Sequence, residues 1–500
     1  MCKINNMLKM FCIVVGLSVV CSCNNVVDRQ QEFYDEVNKI NERHAVETSS
    51  IPDINIEDYT PRLKIKEARE VGFTEEELNS LTAYDKFPVG SSKLKYENAE
   101  KDVDLAFRIL KNCYGAYYYF GGDKAFDKAK EKVLSECMLA GEKLTVDTLQ
   151  EAFTKNLSFV KDGHFLIQNK IVFNKESYYS NEDIIFLKDD NGYYAEQKRK
   201  KSYVTSINGE DKTEKYLRRS VDNKGRLVYK LGVLSSETID TVEVVFEDDT
   251  ENIALSLPEL KDISKMENCS YEELNNVHIV GIRSFLDEDS CERFNESAEI
   301  IKNSKVSILD LRGNLGGRAY NVTRWLNIYD PLLSAYSKGN IFAFRHSRAN
   351  YFLAHILYKA DLSIKNETFA SNSLSMYRAA INQWEIEENL AFKRSSNNNI
   401  LFVLFDAHTI SAGELLVAAL RNKDNVIFVG VNSNGALLGT VGSMVVLPNS
   451  KINIQYGNSI LLVYDDTVFS EETGFRPDIW VESDSLESVL NMISYYKLNK

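Results

Sequence analysis

From about Tyr271 onward, short β-branched runs alternate with helical stretches, and this alternation constrains the fold more than any other feature. "VHIVGI" is followed by an acidic helical stretch near 287–303, then "KVSILDL", a Gly-rich turn and a helix near 320–328. Later come "NILFVLF", a helix opening at "TISAGE", then "NVIFVGV", "GSMVVLP", "INIQYG" and "SILLVYD". Such alternation predicts an α/β domain over 271–500, with these runs joined in a mixed sheet. A long segment near 335–395 breaks the pattern and reads as an insertion, long enough to cover a site.

The texture upstream is different. Between Tyr96 and Phe159 apolar residues recur at spacings of three and four (Leu105, Ile109, Leu110, Cys113, then Val133, Leu134, Cys137), which predicts a helical unit over 96–164. In "KLTVDTLQEAF", Thr145 or Asp147 supplies a start signal for its last helix. From 165 to 258, "KIVFN", "DIIFL", "SYVTSING" and "TVEVVF" are separated by Asn-Gly and Asp-Asp turns, predicting a mostly β module. Residues 23–95 are polar and read as a tether with irregular or short helical structure. Five hundred residues accommodate two to four domains of about 100–200 residues each.

The first 22 residues read as a secretory signal: two lysines, an apolar run from Met10 to Val20, then small residues. The run is too short for a spanning helix. "VCSC" resembles a bacterial lipobox and points to Cys23 as a lipidated first residue, which would tether the chain in a bacterial cell envelope, at the periplasmic face or cell surface. Losing Lys3 and Lys9 takes the formal charge from −14 to −16. A chain so acidic is a poor candidate for binding nucleic acid through its phosphates. Cys113, Cys137, Cys269 and Cys291 remain after the signal, with no readable pairing. No zinc-ligand spacing appears, and neither a metal nor a cofactor is expected.

Four stretches carry candidate chemistry. In "TISAGE", Ser411 fits a helix capping box with Glu414, and fits a nucleophile equally well. "ILDLRGNLGG" is a buried strand that ends in Asp310, Leu311 and Arg312 and runs into Gly313, Gly316 and Gly317. Glycines there let the backbone approach a ligand and aim N–H groups at an anion. "KDGHF" puts His164, a general-base candidate at neutral pH, where helical texture gives way to strand. "EETGFRPDIWV" offers Glu471 or Glu472 as an acidic partner for a histidine.

In chain order, Asp-Gly-His, Asp-Leu-Arg-Gly-Asn-x-Gly-Gly, Thr-x-Ser-Ala-x-Glu and Gly-x-x-Pro-Asp-Ile resemble the C-terminal-processing (tail-specific) serine peptidases, including their tricorn-core branch. The resemblance spans about 96–490 and is strongest after Tyr271. It implies a ClpP/crotonase-like α/β catalytic core. It also implies Ser411 as nucleophile, with Gly316, Gly317 and Ala412 supplying the oxyanion hole. "YVTSINGEDKTEKYL" in the β module resembles a degenerate PDZ-type segment.

Many members of that family pair the serine with a lysine about 25 residues later. Ala436 stands at that place here, and neither Lys423 nor Lys451 matches in motif or spacing. The resemblance to the tricorn-like branch then implies His164 as base, with Glu471 as the acidic residue and Glu472 as its alternative. The function expected is a lipid-anchored envelope serine endopeptidase acting on polypeptides. The alternative is an inactive peptide- or ligand-binding lipoprotein that keeps the fold, as the missing lysine, Asn432 in place of a common glutamate, and Phe165 after the histidine would allow.

Overall fold

The computed structural model describes residues 29–500 apart from 49–54, 62–71, 87, 198–199, 260–261, 263–264, 334–339, 361–371, 374, 377–382, 390–393, 441, 463–467 and 483. The signal and Cys23 lie outside the described residues.

The first element departs from the expected tether. Residues 29–48 form a helix, α1, whose Phe33, Val37 and Ile40 are buried against the central sheet. These residues and His44 fall at helical spacing, a stripe so narrow among polar neighbours that the segment reads as a linker. The docking is polar as well. Buried His44 Nε2 lies 2.9 Å from Asp478 Oδ1, and Gln30 Nε2 donates to the Lys497 carbonyl at 3.0 Å.

A short helix α2 (Glu75–Ser80) opens on a complete capping box between Thr74 and Glu77. Then come α3 (Tyr96–Cys113), α4 (Gly122–Ala140) and α5 (Val146–Asn156), the last capped by Thr145, whose side chain accepts from Thr148 N at 3.2 Å. Their apolar stripes share a core through Val103, Leu110, Phe126, Val133 and Phe153.

Strands β1 (Leu166–Ile167) and β2 (Lys170–Ile171) follow as a small hairpin. Next, β3 (Ser177–Asp189), β4 (Gly192–Gln197), β5 (Lys200–Ile207), β6 (Leu217–Val221), β7 (Leu227–Ser235), β8 (Thr241–Phe246) and β9 (Thr250–Ala254) form an antiparallel sheet ordered β6-β7-β3-β4-β5-β8-β9. The segment resembling a PDZ element crosses from β5 to β6 through one 3₁₀ turn at Thr213–Lys215. Among its described residues, 177–254 contain no α-helix that could wall a peptide groove.

The central sheet is built from β10 (Cys269–Leu274), β11 (Val277–Ile282), β12 (Val306–Asp310), β15 (Ile400–Phe405), β16 (Val426–Gly430) and β22 (Ile479–Trp480), side by side in that order. All but β10 run parallel. Helices α6 (Glu288–Asn303), α7 (Ala319–Tyr329) and α9 (Ala412–Leu420) cover one face, and α1 with α10 (Ser485–Tyr496) the other. Within β15, Leu401, Val403 and Phe405 join the first core, and Ile400, Phe402 and Leu404 the second. A strand buried on both faces reads as the continuous apolar run "ILFVLF".

The remaining strands depart from the single mixed sheet read in the sequence. β17 (Ser443–Val446) and β18 (Asn453–Tyr456) pair with β1 and β2, whereas β19 (Ser459–Leu462) pairs with β13 (Asn340–His346), itself bonded to β14 (Gln383–Asn389). The segment 335–395 therefore contributes two strands of a sheet, and its helix α8 (Arg348–Ala360) packs Phe352 and Leu353 into the helical core. A two-stranded ribbon, β20 (Phe469–Ser470) and β21 (Gly474–Phe475), precedes β22. No described helix is long and apolar enough to cross a membrane.

Candidate active site

The site lies at the carboxyl ends of β12 and β15, where open parallel sheets commonly bind ligands. Asp310 ends β12 between two guanidinium groups: Arg283 Nη2 is 2.7 Å from Oδ2 and Arg312 Nε 2.9 Å from Oδ1. The turn that follows is laced to the turn after β15. Gly313 N donates to Asp406 Oδ1 at 2.9 Å, the Thr409 hydroxyl to the Leu311 carbonyl at 2.9 Å, and Ile410 N to the Asn314 carbonyl at 3.0 Å. Two loops from separate strands thus behave as one rigid cradle.

Ser411 sits in that cradle with φ 57° and ψ −116°, a conformation L-residues rarely adopt and one that costs on the order of 1–3 kcal/mol. Its backbone N–H donates to Glu414 Oε2 at 3.1 Å, the glutamate arm of the capping box read in the sequence. The hydroxyl also meets the histidine. Ser411 Oγ lies 3.1 Å from His164 Nε2.

Three contacts bring the imidazole there. Strand β1 pairs Leu166 with Gln455 of β18, the Asp162 carboxylate accepts from His164 N at 2.8 Å, and the Tyr114 hydroxyl holds the other oxygen of Asp162 at 2.8 Å. Gly163 is required where it stands, since a Cβ there would meet the Gly435 carbonyl at 2.4 Å and Ala436 Cβ at 2.6 Å. The histidine loop therefore rests on the residue expected, by family pattern, to be lysine. Lys423 is paired with Asp330 and Lys451 with the Pro448 carbonyl, both away from the serine.

Two site residues behave differently from expectation. Gly316 N donates to Asn314 Oδ1 at 2.9 Å and so is not available to an oxyanion. Gly316 instead leaves room, because a Cβ there would lie 2.8 Å from Ser411 Cβ. Among the described residues, the N–H groups of Gly317 and Ala412 have no acceptor. Glu471 does not hydrogen-bond the imidazole. Its carboxylate accepts from Gly163 N at 2.6 Å and from Leu437 N and Leu438 N at 2.7 Å each, and among the described residues buried His164 Nδ1 has no partner of good hydrogen-bond geometry. Backbone donors outcompete the ring because three N–H groups converge on one buried carboxylate. Glu472 pairs with Lys161 at the surface, and Asn432 ties its amide to the Thr473 carbonyl at 2.7 Å.

Residues 276–481 match the model of peptidase family S41. This region is an S41 peptidase domain. The chain is accordingly a serine-type peptidase, a hydrolase of polypeptides. Its S41 domain has the α/β fold read in the sequence, preceded by the helical unit and the sheet-rich module. No curated protein matches the sequence. Among solved structures, mature CPAF complexed with lactacystin is 12% identical, with 81% of this chain and 98% of that chain covered and a TM-score of 0.36. The photosystem II D1 C-terminal processing protease is 12% identical over 78% and 93% of the two chains, TM-score 0.33. The tricorn protease is 11% identical over 81% of this chain and 37% of that one, TM-score 0.34.

His164 lies upstream of the matched S41 residues, as does a second basic residue that no motif marked. Lys175, in the link from β2 to β3, is half-buried and donates to the Asn434 carbonyl at 2.6 Å, to Asn434 Oδ1 at 2.9 Å and to the Gly435 carbonyl. Burial lowers its pKa, against the pull of Glu471, Glu414 and Asp162. Burial likewise lowers that of His164: Glu471 opposes the shift, Lys175 adds to it, and the Gly439 carbonyl pulls weakly upward. The shift favours the neutral ring, the state in which Nε2 accepts a proton. Asp162 is pushed up to about 7, first by burial and then by the charge of Glu471. Glu414 is also raised by burial, although Ser433 Oγ at 2.6 Å, Gly435 N at 2.6 Å, Ala436 N at 2.8 Å and Ser411 N all donate to it. Among the described residues, no group of acidic, histidine and cysteine side chains could hold a metal.

Proposed function

We propose that the chain is an envelope serine endopeptidase, held to a membrane by lipid on Cys23, in which Ser411 attacks the scissile carbonyl and His164 takes its proton. The observation carrying this reading is the 3.1 Å contact between Ser411 Oγ and His164 Nε2. A serine hydroxyl is a weak nucleophile until a base removes its proton during attack, and a neutral imidazole at hydrogen-bond distance is that base. The proton would pass to Nε2 and then to the leaving amine, leaving an acyl-enzyme for water to hydrolyse. Gly317 N and Ala412 N would donate to the oxyanion, each worth about 10²–10³ in rate. Glu471 would act through the backbone of Gly163 and through its field on the ring, as a positioning residue.

A fluorophosphonate probe is expected to label the wild-type protein, and Ser411→Ala to abolish labelling. Labelling that persists in the variant would remove Ser411 as nucleophile, and a folded wild type that stays unlabelled would favour an inactive binding protein. The anchor has its own test: Cys23→Ala should move the protein from the membrane fraction to the soluble fraction of its host. Unchanged partition would count against lipidation.

A further inference from the structure

The backbone strap 434–438 connects the catalytic elements. Along one edge, Gly435 N and Ala436 N donate to Glu414, which holds Ser411 N, while Leu437 N and Leu438 N donate to Glu471, which holds Gly163 N beside the histidine. Along the other edge, the carbonyls of Asn434 and Gly435 both accept from Lys175. Four consecutive N–H groups of the strap thus point at two buried carboxylates, and one half-buried ammonium secures the carbonyls of Asn434 and Gly435.

We propose that Lys175 is a positioning residue of this site, its ammonium clamping the strap so that Glu414 and Glu471 hold the serine and histidine loops in register. The inference rests on the Ser411–His164 reading above and extends it. Lys175 makes no hydrogen bond to Ser411 or His164, so it does not serve as base. Its place is nonetheless specific. The strap lacks a lysine of its own, Ala436 being packed against Gly163, and the cation arrives from outside the S41 domain, from the link into the sheet module. An ammonium there meets carbonyl and amide oxygens and offsets the charges of Glu414, Glu471 and Asp162, which face it from α9, from the β20–β21 turn and from the histidine loop. Losing the clamp would free the strap to shift, and displacing reacting groups by about 1 Å can cost about 10²-fold in rate.

The test uses the full chain with Lys175→Met, which keeps the stem and removes the charge, and Lys175→Arg, which keeps the charge. Two quantities are read: the rate of fluorophosphonate labelling against pH, and the titration of the His164 ring by ¹³C-histidine NMR, assigned with His164→Gln. In the wild type the acid limb of labelling should fall below the ordinary histidine value of 6.5. Lys175→Met is expected to label about 100-fold more slowly. Its acid limb and ring titration should move to higher pH, because an ammonium that disfavours the imidazolium is gone. Lys175→Arg should stay within about tenfold of wild type, with its titration little changed. A folded Lys175→Met with wild-type rate and titration would overturn the proposal. So would equal slowing in both variants with the ring titration unmoved, since that is packing alone. An unlabelled wild type whose ring still titrates higher in Lys175→Met would sink the Ser411 reading and leave Lys175 in its place. Should Lys175→Met fail to fold, Lys175→Gln, which keeps an N–H donor for the strap, gives the same two readouts.

Discussion

Replacing His164 with alanine is expected to lower kcat/KM on a polypeptide substrate by about 10⁴–10⁶, the scale on which triad members act when removed singly. The fold should survive. The imidazole makes one side-chain hydrogen bond, to Ser411, while the backbone of the histidine loop is held by Asp162, Glu471 and the β1–β18 pairing. Unchanged far-ultraviolet dichroism with lost turnover would therefore separate chemistry from structure. A second change sharpens the test. Ala436→Lys, which restores the family lysine in sequence, should not rescue His164→Ala, because the space beyond Ala436 Cβ is taken by Gly163. Turnover near the wild-type rate in His164→Ala would mean that another group deprotonates the serine.

The second large effect is expected at Glu414. Its fully buried carboxylate accepts four hydrogen bonds, from Ser411 N, Ser433 Oγ, Gly435 N and Ala436 N. Alanine would strand those donors, and removing one partner of a buried charged network costs about 3–5 kcal/mol. Glu414→Ala should thus lower the urea midpoint markedly and slow probe labelling as well, since Ser411 N loses the acceptor that fixes its unusual backbone. Glu414→Gln keeps one oxygen but turns an amide toward donors, and should fall between the two. A stability within about 1 kcal/mol of wild type for Glu414→Ala would show that the strap and the serine loop are held by something else.

How much of this was legible follows from how local each signal is. The strands β11, β12, β15 and β16 could be read because residues buried on both faces leave unbroken apolar runs. The serine, the glycine turn and the histidine each carry a short motif, because each needs a particular backbone next to it: a positive φ at Ser411 and Gly316, and bare Cα space at Gly163. The helix over 29–48 was missed because its apolar stripe is narrow and part of its burial is polar, through His44 and Asp478. Runs such as "GSMVVLP" and "SILLVYD" were recognisable as strands, yet their assignment to separate sheets was not, since alternation gives a strand's faces and not its neighbour.

The chain's order of motifs by itself determined the α/β core and the family, because those motifs encode local backbone needs that hold whatever lies around them. Only the tertiary structure decided which groups meet. It brought an imidazole from residue 164 to a hydroxyl at 411, left Gly316 N on Asn314, and gave Glu471 three backbone donors in place of the ring. It also delivered Lys175 to a strap some 260 residues away. The reason is physical: convergence is set by which strands pair and which buried donors compete for one acceptor, and neither is written in the spacing of residues along the chain.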